Sequence, residues 1–144
     1  MANWFECKIH CNKSQLNESE KNVPGQYLVD ALTFTEAEAR IIEEIQPFLS
    51  CEFDVAAVKR SRVAEIAFND EGNKWFLAKV GFITVDERSG VEKRAISQML
   101  VQATGFKNAY DNLIEYMKGT MADYDIVSIA ETPLKDVFKM KVVD

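Results

Sequence analysis

The chain repeats itself. Trp4-Phe5-Glu6-Cys7-Lys8-Ile9 returns as Trp75-Phe76-Leu77-Ala78-Lys79-Val80, and Tyr27-Leu28-Val29-Asp30-Ala31 returns as Met99-Leu100-Val101-Gln102-Ala103. Phe34, Ala37, Ile41, Ile42 and Ile45 return as Phe106, Ala109, Leu113, Ile114 and Met117, and Phe53-Asp54-Val55 returns as Tyr124-Asp125-Ile126. The offset across these blocks is 71, 72, 72 and again 71 residues. Both tryptophans of the chain open the first block. Self-similarity at a nearly fixed spacing restricts the fold to two copies of one supersecondary unit. We therefore expect residues 1–72 and 73–144 to form two repeat units. No linker is long enough to separate them, so one compact body is expected.

The residue period says what each unit contains. Phe5, Cys7 and Ile9 alternate with polar neighbours, as do Phe76, Ala78, Val80 and Phe82, which is the period of a half-buried strand. A turn and a second strand follow each, near residues 26–32 and 91–104; the first connection is long and ends in Pro24-Gly25, and the second is a short hairpin. The period then changes to 3.6. Phe34, Ala37, Ile41, Ile45 and Phe48 lie on one helical stripe, and Phe106, Ala109, Leu113 and Met117 make its counterpart. Thr33 with Glu36 three residues on is a capping-box pattern. Pro47 should end the first helix, and Gly119 the second. An extended segment follows each helix, over residues 52–68 and 123–138, and each is open to reading as one strand or as two short ones, with Pro133 marking a bend or an edge. The expected fold is α+β. Two ββαβ(β) units each place a mostly antiparallel sheet on one helix, related by a pseudo-two-fold axis.

Composition narrows the function classes. The net charge is −6, and residues 1–72 carry all of it, with seven basic against thirteen acidic side chains; the second unit has ten of each. A strongly basic surface for double-stranded nucleic acid is therefore absent. No run is long and apolar enough to span a bilayer, and residues 1–6 show no apolar signal core, so the expectation is a cytoplasmic protein without membrane contact. The three cysteines, Cys7, Cys11 and Cys51, are an odd set without disulfide-framework spacing. Cys7-x-x-His10-Cys11 places the cysteines and the histidine on opposite faces of a strand, which cannot converge on one ion. Small buried thiols are expected instead. No metal or cofactor is assigned.

Catalytic patterns are largely missing. His10 is the single histidine, and no glycine-rich phosphate loop is present. The reading leans against an enzyme. Its alternative is a small-ligand-binding protein or metal-dependent enzyme built around Asp54, Asp125 or His10.

The best functional candidate is the repeated Trp-x-x-x-Lys. Trp4 with Lys8, and Trp75 with Lys79, share the strand face opposite the phenylalanines. An exposed aromatic beside a cation is how many single-strand nucleic-acid binders hold a base and a phosphate. Lys59, Arg60 and Arg62 would extend such a surface, and Lys93 and Arg94 could add to it. Against this stands a packing reading, which we favour. The same faces carry Leu28, Leu100, Val58 and Ile129, so another half of the chain or a second subunit could cover them, with the tryptophans buried and the lysines at the rim. Partners left open are single-stranded nucleic acid, a protein, or a second copy in a homodimer.

Trp4-Phe5-Glu6-Cys7-Lys8, the stretch from Tyr27 to Leu32 followed by Phe34-Thr35-Glu36-Ala37-Glu38-Ala39, and Lys118-Gly119-Thr120-Met121-Ala122-Asp123-Tyr124 resemble an uncharacterised family. It consists of small proteins of Bacteroides-group bacteria, designated a domain of unknown function. The resemblance covers nearly the whole chain and implies no catalytic residue, cofactor or substrate. The expectation is a non-enzymatic intracellular binding or assembly module.

Overall fold

The computed structural model describes residues 3–139. The strands are β1 (Asn3–His10), β2 (Gly25–Ala31), β3 (Asp54–Arg60), β4 (Val63–Ala67), β5 (Lys74–Val85), β6 (Glu92–Ala103), β7 (Asp123–Glu131) and β8 (Leu134–Phe138). Helix α1 (Phe34–Ile45) lies between β2 and β3, and α2 (Phe106–Met117) between β6 and β7. The architecture is α+β, as the periods predict. Each late extended segment is two strands, broken at residues 61–62 and at Thr132-Pro133.

Two four-stranded sheets result, ordered β3-β1-β2-β8 and β4-β6-β5-β7. β1 is antiparallel to β2 and β3, and β5 is antiparallel to β6 and β7. The fourth strand is parallel in both, β8 on β2 and β4 on β6. By repeat position β4 corresponds to β8. Each repeat's last strand therefore completes the other repeat's sheet. The compact units are accordingly residues 1–62 with 133–144, and residues 63–132. The repeat boundary at 72/73 divides the chain by sequence likeness; the contacts divide it at the two short links on either side of the exchanged strands.

Even the irregularities repeat. The register slips between Lys8 and Ile9 where β1 meets β3, and between Lys79 and Val80 where β5 meets β7. A bulge bends a strand and strengthens its twist, and here it does so at the same place in both sheets.

In the first unit α1 covers one sheet face. Phe5, Cys7, Ile9, Val29, Ala37, Ile41 and Ile45 are buried there, with Phe53, Val55 and Val58 half-buried at the edge. In the second, Phe76, Ala78, Val80, Val101, Ala109, Leu113 and Met117 form the core, flanked by Phe82, Tyr124, Ile126 and Ile129. Thr33 caps α1 by accepting the Glu36 amide at 3.1 Å. Glu36 reaches back to the Leu32 amide, and Asn108 makes the same reach to Thr104 at the start of α2. Pro47 turns the end of α1 into a 3-10 turn, and Gly119, at φ +87°, follows α2 in the left-handed conformation that glycine tolerates.

The helical stripe differs from expectation at its outer members. Phe34, Phe48 and Phe106 are 52%, 61% and 61% exposed. Phe34 and Phe106 occupy the first helical position, one turn before the buried stripe begins, and Phe48 has left the helix through the turn at Pro47.

Candidate binding surface

The tryptophans are buried. Trp4 is 8% exposed and Trp75 3%, while Lys8 and Lys79 are exposed. Their backbones explain the position better than any ligand does. The Trp4 carbonyl accepts the Ser61 amide at 2.8 Å, and the Trp75 carbonyl accepts both the amide and the hydroxyl of Thr132, at 2.9 and 2.8 Å. Ser61 and Thr132 are the residues at which the chain leaves one unit for the other. The repeated Trp thus marks the exit point of each sheet. A base cannot stack on a ring without an accessible face, so neither Trp offers the exposed platform that single-strand binding requires.

The remaining candidate cations do not converge on the tryptophans. In the register of β1 and β3, Lys59 lies opposite Glu6 and Arg60 opposite Phe5, so the two basic side chains take opposite faces. Arg62 is exposed in the link to β4. Arg94 is held by Asp125 at 2.6 Å, which also ties that carboxylate to a guanidinium. Among the described residues no three His, Cys, Asp or Glu side chains are grouped to hold a metal.

One grouping was not anticipated. Arg60 lies over the Phe5 ring, 5.8 Å from its centroid, and the exposed Phe34 meets the same ring edge-on at 5.0 Å. The buried Phe5 thus links an exposed aromatic to an exposed cation. In the second unit Phe106 is the exposed aromatic, and the residue opposite Phe76 in the register is Glu131. Equivalent positions therefore carry opposite charges. The signal in the sequence was the apolar residue kept in both repeats one turn ahead of the buried stripe.

Cysteine chemistry also departs from expectation. The fold brings the sulfurs of Cys11 and Cys51 together as a pair able to form a disulfide, whereas Cys7 is buried away from them. Spacing does not announce the pair, because 40 residues separate the two and only the fold closes the loop between them. Burial and the nearby Glu38 and Glu6 push the Cys7 thiol up to about 11, so it remains protonated and poorly nucleophilic near neutral pH. Beside the Cys11–Cys51 pair, the Glu20 carboxylate accepts the amides of Ser50 and Asn17, at 2.6 and 3.1 Å, and the Ser50 hydroxyl. These bonds favour the ionised form and hold the carboxyl below its usual range. The loop between β1 and β2 is thus tied twice to the segment after α1.

Two clefts in the first unit touch the alternative candidates. Asp54 lines one of about 620 Å³ with Glu38, Glu52 and Cys51. His10 lines another of about 640 Å³ with Cys11, Asn12 and Leu16.

A family model for a domain of unknown function, DUF4494, matches residues 3–140. The chain belongs to the DUF4494 family. No curated protein and no solved structure matches it. Membership agrees with the resemblance read from the sequence and brings no mechanism. Both helices of this DUF4494 chain have 12 residues, and no helix among the described residues is long and apolar enough to cross a membrane.

Proposed function

We propose that this protein is a non-enzymatic binding or assembly module acting inside the cell, and that its partner is a protein. The observation that carries the reading is the pair Phe34 and Phe106. They hold the same repeat position, and both are more than half exposed, while the equivalent pairs Ala37/Ala109, Ile41/Leu113 and Ile45/Met117 are buried. Phenylalanine kept in two diverged copies with more than half of its surface exposed is suited to a contact with another surface, where aromatic anchors dominate affinity. Arg60 lies over the Phe5 ring that Phe34 also meets, whereas the equivalent position in the second unit is Glu131, already paired with Lys74 at 3.7 Å, so the aromatic rings rather than a charge pair carry the contact. A second copy is the simplest partner. A protein is preferred to single-stranded nucleic acid because the exposed rings are accompanied by a net charge of −6. A reducing cytoplasm keeps most cysteine pairs as thiols, so in that compartment the adjacent Cys11 and Cys51 are expected to be reduced and to pair only on oxidation.

Light scattering across a concentration series tests the assembly. The expected result is a mass rising above 16.4 kDa with concentration, returning to the monomer value in the Phe34→Ser, Phe106→Ser double variant. A monomer at every concentration would remove self-assembly.

A further inference from the structure

We propose that the outer edge of β2 accepts its fourth strand from a second copy of the chain as well as from its own, giving a strand-exchanged dimer. This inference rests on the sheet topology and is independent of the exposed phenylalanines. The first unit is complete only when residues 133–139 reach it from beyond the whole of the second unit. β8 has five residues and docks parallel to β2, with Leu28 opposite Val137, both buried. Tyr27 stacks on Phe138 with centroids 5.7 Å apart, and Arg40 donates to the carbonyls of Asp30 and Lys139.

Each of these contacts lies within the first unit. None depends on which chain supplies β8, so a second copy offers an identical strand with identical complementarity. The covalent link alone makes the intramolecular choice, and it is short. Thr132 and Pro133 are the only residues between β7 and β8. The residue before a proline is held extended, so this link resists folding back on itself. Short hinges favour exchange between copies, because every strand contact is regained when the link opens.

The test begins with the unmodified chain, unfolded in denaturant and refolded at low and at high protein concentration. Light scattering should show the 16.4 kDa monomer from dilute refolding. Concentrated refolding should give a dimer that persists for hours after dilution. Inserting Gly-Ser-Gly-Ser between Thr132 and Pro133 should lower that dimer fraction about tenfold by easing closure within one chain. A mixture of two chains locates the exchange, one carrying Leu28→Cys and the other Val137→Cys, both with Cys7→Ala, Cys11→Ser and Cys51→Ser. After joint refolding and oxidation they should cross-link to each other. Absence of a persistent dimer, or a persistent dimer without that cross-link, overturns the proposal. If the cysteine variants do not fold by circular dichroism, the loop comparison decides alone, and an unchanged dimer fraction overturns it. Association through Phe34 and Phe106 would instead re-equilibrate on dilution and vanish in the double phenylalanine variant, which leaves strand exchange intact.

Discussion

Glu20 shows how one side chain can organise a loop. Its carboxylate is buried and takes hydrogen bonds from Ser50 and Asn17, which favour ionisation. The folded carboxyl therefore binds its proton less tightly than the unfolded one, whose pKa lies near ~4.3. The stabilisation is complete above that value and is lost as pH falls through the lower folded one. We expect Glu20→Gln to lower the melting temperature at pH 7 and to flatten its decline between pH ~5 and ~3 relative to the parent, as read by thermal unfolding across that range. Equal acid sensitivity in both proteins would show that Glu20 is not the group responsible. Nothing in the sequence marked Glu20, which sits in a polar connection and meets Ser50 only through the fold. The tryptophans were legible as important and open as to why. Their carbonyls answer the question, since a backbone role leaves the ring free to be buried and no side-chain pattern could disclose it.

The elements were the most legible level, because a change of period from 2 to 3.6 follows directly from which positions face a core. Strand pairs, helices and the stop at Pro47 all come from local pattern, which leaves the late segments open between one strand and two. What the pattern lacks is the address of a five-residue strand. Val63–Ala67 and Leu134–Phe138 present suitable side chains to any sheet edge, and their partner is decided by topology. The helix starts show a second difference between the repeats. Thr33 supplies a hydroxyl to the first turn of α1, whereas its counterpart Gly105 supplies none to α2. Thr33→Ala should cost about 1 kcal/mol of unfolding free energy. Gly105→Ser should add a few tenths of a kcal/mol, since its backbone is extended and a Cβ there meets nothing within 4 Å. Urea titration reads both, and a loss at Gly105→Ser would contradict the capping account.

At the scale of the whole molecule, duplication explains why two cores are alike, and the exchanged strands explain why the contact units differ from the repeats. The surfaces have diverged more than the interiors: by sequence repeat, residues 1–72 carry the whole net charge, while the first contact unit holds the Cys11–Cys51 pair and the Glu20 tether and the second a long β5–β6 hairpin. Strand exchange also has a consequence for synthesis. The second unit is a continuous stretch, Val63–Thr132, while the first waits for residues from 133 onward. On the ribosome the unit that starts later can finish first, which reverses the usual order in which the N-terminal part folds ahead. Limited proteolysis of chains stalled with residue 132 just outside the exit tunnel should spare 63–132 and cut within 1–62; protection of both stretches at that length would show that the first sheet closes with three strands. A nascent chain held at that point exposes the edge of β2 to its neighbours on the same message, and the time spent there is set by how quickly residues 133–139 emerge.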